Sequence, residues 1–478
     1  MTLSGLLILS NYVPWPKQLP MRNLLFLSLV LTFSCGGPNT PTYDVLIKNA
    51  QVLQLDSGTY RTLSLGITNG RIENVIPPSE LSLVSTKEII DAKGKYALPG
   101  LWDNHVHFRG GENLVQANAN LLPFYLDYGI TTVRDAGGDL TSHVRLWQKE
   151  IEEATRMGPT IFTSGPKIDG KSPTWAGSFE VANPQDIVKS LDSLQKLKVD
   201  FVKLYDSTID GALYLETIRE AEKRGMKVTG HLPYSIPVNE AIDAGLDGIE
   251  HLYFVLKACS SKETEITAAI QDGSMGFWEA LPLLLESYEE TTAQAFFNKL
   301  KDKGVFVVPT LHIGHTLSYL DEIDHSQDAF LSKLPQDFID TYQGRISRFE
   351  RSSTETREKR KALDTFFQQL TYKLYTAGVP LLAGSDNGAY NAYVYPGISL
   401  HLELAAMVKT GIPPLDALKS SFVNGPDLLD KDAFGSLEQG KIADILLLNS
   451  DPLQQIESLQ DIYLTLKSGV PYNPQAKN

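Results

Sequence analysis

Nine histidines and two cysteines bound the chemistry open to this 478-residue chain. With Cys35 and Cys259 as the only thiols, neither a disulfide framework nor a thiolate-rich zinc site is available, so any metal must be held by nitrogen and oxygen. His105 and His107 stand two apart at the end of an apolar run. Alternate residues of an extended segment point the same way, so both imidazoles can face one cation. Taken alone, His-x-His is as readily two unrelated histidines. His231 follows the stretch Lys227–Gly230 and His251 follows Gly248–Glu250, and four histidines at three strand ends are hard to assign to chance. Lys203 lies inside Phe201-Val202-Lys203-Leu204-Tyr205, where a buried amine is costly unless paired or neutral. It either snorkels, pairs with a carboxylate, or carries CO₂ as a carbamate, an oxygen ligand able to bridge two cations. Asp386, in Ala383-Gly384-Ser385-Asp386-Asn387-Gly388, can bind metal and take a proton from water, although Asp before Asn-Gly is also ordinary turn chemistry.

These residues need elements that end at one place. Apolar strand-like runs occur at Gly100–His105, Thr131–Arg134, Thr160–Ser164, Phe201–Tyr205, Lys227–Gly230, Gly248–Glu250, Val305–Thr310 and Pro380–Gly384. Helical patterns such as Pro184–Lys198, Ala212–Arg224, Val238–Ala244 and a long polar stretch around 336–377 separate them. Alternating strands and helices imply a parallel sheet, and eight strands fit an α/β (β/α)₈ TIM barrel, whose catalytic groups sit at the C-terminal ends of the strands. The segments 256–300 and 316–360 are long for barrel loops and read as helical insertions at the active-site mouth. Short β segments at Asp44–Lys48, Thr62–Thr68, Arg71–Ile76 and Glu88–Asp91, with an Asn69-Gly70 turn, are too few to close a core alone. Ala443–Asn449 and Ile462–Ser468 supply more, so the expectation is a small β-sandwich built from both chain ends. The domain boundaries expected are 1–42 for a leader and tether, 43–99 and 428–478 for the two parts of the sandwich, and 100–427 for the barrel.

Hydrophobic residues make up 42% and charged residues 21%, too mixed for a disordered chain. The net charge of -14, with no basic run, excludes nucleic acid as a partner. Residues 24–31 form a short apolar core behind Met21 and Arg22 and ahead of small residues, the pattern of a secretory signal and too short to span a bilayer. Residues 1–20 precede the internal Met21 and lack this logic. Cys35 at the cleavage point resembles the lipobox of bacterial lipoproteins, although Leu31 stands four residues before it rather than three. That resemblance implies a lipid anchor on Cys35 in the cell envelope. Residues 36–42 read as a flexible tether.

The string Leu98-Pro99-Gly100-Leu101-Trp102-Asp103-Asn104-His105-Val106-His107 resembles the opening signature of the amidohydrolase superfamily, and Gly435–Ile445 is similar to the stretch that returns such chains to their terminal β structure. The likeness spans about residues 44–455. It is strongest to the imidazolonepropionase-like and Xaa-Pro dipeptidase-like branch, through Tyr128–Asp135 and Gly248–His251. By position it implies two divalent ions, zinc by preference: His105, His107 and Asp386 on the first, His231 and His251 on the second, and carboxylated Lys203 between them. A hydroxide between the ions would attack a carbonyl, with Asp386 as the catalytic proton carrier. Asn424-Gly425-Pro426 departs from the Thr/Asn-Pro-Ala helix start of many relatives. Tyr205, Tyr234, Tyr253, Thr310 and His312 end or follow barrel strands and are candidates to line the substrate pocket, although each is as readily structural.

The resulting expectation is a metal-dependent hydrolase of an amide or other C–N bond in a small molecule, such as a dipeptide or N-acyl amino acid. A mononuclear deaminase or cyclic-amide hydrolase of the same fold, and a surface lipoprotein that binds a ligand without catalysis, are the alternatives. Homo-oligomer formation is left open.

Overall fold

The computed structural model describes residues 42–472. The leader, the proposed lipidation site Cys35 and most of the tether lie outside the described residues. The chain opens with β1 (Thr42–Gln54), β2 (Thr59–Thr68), β3 (Arg71–Ile76), β4 (Ser85–Asp91) and β5 (Tyr96–Pro99). The central strands are β6 (Leu101–His107), β7 (Ile130–Asp135), β8 (Thr160–Thr163), β9 (Ile168–Asp169), β10 (Phe179–Glu180), β11 (Val202–Leu204), β12 (Val228–Gly230), β13 (Gly248–Glu250), β14 (Phe306–Val308) and β15 (Asn387–Gly388). The chain closes with β16 (Ile445–Leu448), β17 (Ile462–Lys467) and β18 (Val470–Tyr472).

Both chain ends meet in one eight-stranded sheet, in the order β18-β17-β16-β5-β1-β2-β3, with β4 also paired to β1. The expected sandwich is here a single branched sheet. The branch has a local cause: β1 changes register between Ile47 and Ala50, with Asn49 at φ 58°, so its first half pairs β4 and its second half pairs β5. Asn69 and Gly70, both at positive φ, close the β2–β3 hairpin as that turn chemistry requires. Side chains of β5 and β16 alternate between two cores. Ala97, Ile445 and Leu447 join the small cluster with Ile47, Leu65 and Ile67, whereas Leu98, Leu446 and Leu448 join the main core. A strand covered on both faces needs the unbroken apolar run Ile-Leu-Leu-Leu.

The central strands are parallel and separated by helices, the arrangement of a TIM-barrel-like α/β fold. They form two ladders, β10-β9-β11-β12-β13-β14 and β15-β6-β7-β8, rather than one continuous ring. The stretch 380–386 stitches one seam. Leu382 N donates to Val307 O (2.8 Å) on one side, and Asn104 N to Ala383 O (3.0 Å) on the other. Pro380 offers no N–H and Asp386 is left-handed (φ 56°), so this stretch cannot run as a regular strand. At the other seam Asp200 N donates to Thr163 O (2.9 Å).

The helices start where the sequence supplies caps. Asn183 accepts from Asp186 N ahead of Pro184–Leu197, and Asp210 accepts from Ala212 N ahead of Gly211–Lys223. The two long insertions are helical, as expected. The first contains Glu263–Gln271, Phe277–Glu286 and Glu290–Lys303, and the second leads through Gln336–Asp340 and Gln343–Glu350 into Thr354–Ala377. That last helix buries Leu363, Phe367, Leu370 and Leu374, an i, i+4, i+7, i+11 stripe. At Asn424-Gly425-Pro426 a short helix begins. A Cβ on Gly425 would sit 2.3 Å from Asn104 Oδ1, so only glycine lets this turn approach β6 so closely. No described helix is long and apolar enough to cross a membrane.

Candidate metal centre and active site

The strand ends bring the four histidines together. Ring centroids are 5.0 Å apart for His105 and His107, 5.1 Å for His105 and His251, and 4.8 Å for His231 and His251. Each imidazole is held through Nδ1. His105 Nδ1 meets Glu250 Oε2 at 2.6 Å, His107 Nδ1 meets Gly137 O at 2.8 Å, His231 Nδ1 meets Asp206 Oδ1 at 3.1 Å, and His251 Nδ1 meets Thr310 Oγ1 at 2.7 Å. A carbonyl or carboxylate can only accept. The Thr310 hydroxyl itself donates to Pro309 O (2.8 Å), so it too accepts from His251. At His105, His107 and His251 the Nδ1 therefore carries the proton and the Nε2 the lone pair, and at His231 the same holds when Asp206 is ionised. This is the tautomer in which an acceptor behind the ring leaves Nε2 free for a metal ion.

His105 Nε2 and His107 Nε2 are 3.2 Å apart, and Asp386 Oδ1 lies 3.7 Å and 3.2 Å from them. Three electron-pair donors facing one another at this range repel unless a cation sits among them, and these three residues form a group with metal-ligand geometry. Burial pushes all four imidazoles below their ordinary pKa, so they are neutral and ready to bind metal near pH 7. Asn391 Nδ2 donates to Asp386 Oδ1 (2.9 Å), and Asp386 N donates to His105 O (2.7 Å). The left-handed backbone of His251 (φ 70°), Thr310 (φ 52°) and Asp386 is strain concentrated at this centre.

Lys203 is fully buried, and its Nζ has no hydrogen-bond partner among the described residues. The nearest carboxylate oxygen, Glu250 Oε1, is 3.7 Å away. Burial brings the amine down to about 8, with Glu250 opposing the shift. An orphaned, readily neutralised amine beside the histidines fits a group that is completed by reaction with CO₂.

Sequence reasoning passed over the residues that hold the ligands. Arg134 Nη2 donates to Glu250 Oε1 (2.9 Å) and Thr229 Oγ1 donates to the same oxygen (2.8 Å), so Glu250 stays ionised beneath His105. Arg134 is a charge inside a buried strand, and the test that singled out Lys203 finds it, whereas Glu250 stands at the end of a three-residue strand and does not stand out. Asp206, behind His231, is raised to about 7 by burial. Arg109 is buried against the Trp175 ring at 4.1 Å, and Lys167 donates to Gly137 O at 2.7 Å; their signal, charges after β6 and before β9, is weak in sequence.

A cavity of about 1110 Å³ opens onto His107, Lys203, His231, His251 and Asp386. Tyr205, Tyr234, Tyr253 and Thr310 stand in its wall. Two of them are already engaged: the Tyr234 hydroxyl donates to Tyr253 O (2.8 Å), and Thr310 orients His251. His312 does not line the cavity. It lies half-buried in the first turn of the helix Leu311–Ser318, whose leading N–H groups are held by Glu403. The remaining histidines are structural: His401 bonds Tyr128 O, His143 bonds Glu112, His315 bonds Asp364 and His325 bonds Asp328.

The amidohydrolase family model matches residues 96–275 and 369–472. The chain belongs to the amidohydrolase family. Ochratoxinase of Aspergillus niger is 23% identical over 406 residues, covering 76% of this chain and 72% of that protein. Among solved structures, bottromycin amidohydrolase superposes with a TM-score of 0.71 at 20% identity, over 90% of this chain and 87% of its own. A Xaa-Pro dipeptidase with methionine in its active site gives 0.66 at 19% identity, over 90% and 99%. These likenesses share the fold. The family's unmatched gap, 276–368, coincides with most of the helical insertions at the mouth of this amidohydrolase.

Proposed function

We propose that this amidohydrolase cleaves the amide or related C–N bond of a small molecule such as a dipeptide or N-acyl amino acid, with two divalent ions at the C-terminal ends of its central strands. The observation that carries the reading is the convergence of the His105 and His107 Nε2 lone pairs on Asp386 Oδ1. His105, His107 and Asp386 would hold one ion, His231 and His251 the other, and carboxylated Lys203 would join them. Nitrogen and oxygen donors of this kind suit zinc. When bound, such ions supply a water acidic enough to act near neutral pH and a polarised carbonyl. Glu250, Gly137, Asp206 and Thr310 fix the imidazoles so that no rotamer need change at the moment of reaction. Asp386 Oδ1 is held by Asn391, which leaves Oδ2 to take the proton of the attacking water and return it to the leaving nitrogen. Tyr205 and Tyr253 shape the wall against which the substrate lies.

Amide cleavage is tested on a library of dipeptides and N-acyl amino acids. Release of free amino acid that stops on chelation supports the reading, and a library left intact by the zinc-loaded protein contradicts it. Lys203→Ala is expected to lose one ion and nearly all activity; a variant that keeps both ions and full turnover removes the bridging role. One observation favours a mononuclear deaminase or cyclic-amide hydrolase as a second reading: the metal-ligand group of the described residues comprises His105, His107 and Asp386 alone. A single tightly held ion in the wild type would select it. The tether through Cys35 belongs to the same proposal and is supported by the leader pattern. Cys35→Ser should abolish labelling by a radioactive fatty acid, and labelling that persists removes the anchor.

A further inference from the structure

Residues 276–368, outside the family match, place three guanidinium groups in the cavity wall. Arg345 and Arg348 stand on Gln343–Glu350, and Arg360 on Thr354–Ala377. Arg345 is partly engaged, with Nη2 donating to Asn391 Oδ1 (2.9 Å) and Nε to Tyr390 O (3.3 Å). Arg360 lies 5.4 Å over the Trp278 ring, and its Nε is buried without a hydrogen-bond partner. None of the three pairs with a carboxylate among the described residues. Asp364, which lines the same cavity, is taken by His315 Nδ1 (3.2 Å) and Gln368 Nε2 (3.0 Å). Burial, reinforced by repulsion from Arg348 and Arg345, holds Arg360 below its ordinary range. In a chain of net charge -14, cations gathered on one cavity wall without counter-charges form a local field that an anion would relieve. Beside them the wall is aromatic. Tyr253 lies 5.7 Å from Phe277 and 5.1 Å from Phe367 by ring centroids, and Trp278 is 58% exposed.

We propose that Arg348 and Arg360, with Arg345 beside them, form an anion-binding subsite that selects substrates bearing a carboxylate on a flat apolar body, remote from the scissile bond. The word substrate rests on the hydrolase reading above. The planar fork of arginine accepts a carboxylate through two parallel hydrogen bonds, and the aromatic wall holds the body that carries it. The three arginines lie outside the stretches that match the family model, so the preference would come from the insertions at the mouth rather than from the barrel strands.

The test uses the zinc-loaded full chain and two probes whose sulfonamide bond is not hydrolysed, N-(4-carboxybenzenesulfonyl)-phenylalanine and N-(4-methylbenzenesulfonyl)-phenylalanine, with binding read by calorimetry. The wild type is expected to bind the carboxylated probe about tenfold more tightly, the scale of one charge-assisted pair in a partly open site. In the double variant R348Q/R360Q that preference should fall to within about threefold, while the affinity for the methyl probe and the melting temperature stay unchanged. Arg345 is left in place because Asn391 ties it to Asp386. Equal or undetectable binding of both probes by the wild type, or a preference that survives in the double variant, overturns the subsite. Cleavage of N-(4-carboxybenzoyl)-phenylalanine is followed separately. Preference without cleavage removes the hydrolase and keeps the subsite, and cleavage without preference does the reverse.

Discussion

Glu250 shows how much of this centre is carried by residues that would touch no metal. It accepts from His105 Nδ1, Arg134 and Thr229, so one carboxylate fixes the tautomer of a ligand and is itself kept ionised by a buried guanidinium. Glu250→Gln removes the charge and leaves Arg134 buried without its partner. The expected outcome is a zinc affinity about 10–100-fold weaker, read by competition with a chromogenic chelator, with the fold retained. An unchanged affinity would separate Glu250 from the centre. The candidate ligands stood out in the sequence because histidine at a strand end is rare and conspicuous. Glu250 was not, since it adjoins His251 and reads as the last residue of a short strand. Thr310 was legible as a position but not as a role, because its hydroxyl could face substrate or ligand, and only the 2.7 Å contact to His251 decides.

At the scale of elements, the helix Ile398–Lys409 carries a titration that can be read apart from any metal. His401 is buried and pushed down to about 4, while its Nε2 donates to Tyr128 O at 2.8 Å. In the unfolded chain the same ring titrates near its ordinary value of about 6.5. Between those values the unfolded state holds a proton that the folded state lacks, so stability rises with pH and is eroded by acid. The melting temperature should therefore fall from pH 7 to pH 5. His401→Asn, which keeps a donor toward Tyr128, should make that fall smaller, and an identical fall in the variant would assign the acid sensitivity elsewhere. Central strands and helices such as Pro184–Leu197 and Val238–Ala244 were legible from the alternation of apolar strand-like runs with helical patterns. The stretch Pro380–Gly384 was read as a strand because it is apolar. It is bonded on both sides, by Val307 N to Pro380 O and Leu382 N to Val307 O and by Asn104 N to Ala383 O, but Pro380 offers no N–H and the chain turns left-handed at Asp386, which a hydropathy pattern does not register.

Over the whole molecule, the sheet that joins the two chain ends anchors β5, and β5 runs directly into β6 with its histidine pair. Composition and the apolar run of β16 made that union legible, but not its branching, which depends on a bulge at Asn49 and on partners hundreds of residues apart. The same span gathers ligands from β6 to the stretch after 380, so the centre exists only in the completed fold, and metal content reports on all of it at once. The most direct measurement is the metal content of the full chain purified with zinc and bicarbonate, determined by plasma mass spectrometry alongside a His105→Asn/His107→Asn control. The account predicts about two zinc ions per chain in the wild type and a clear loss in the control. A wild-type content near zero, or one indistinguishable from the control, would contradict it.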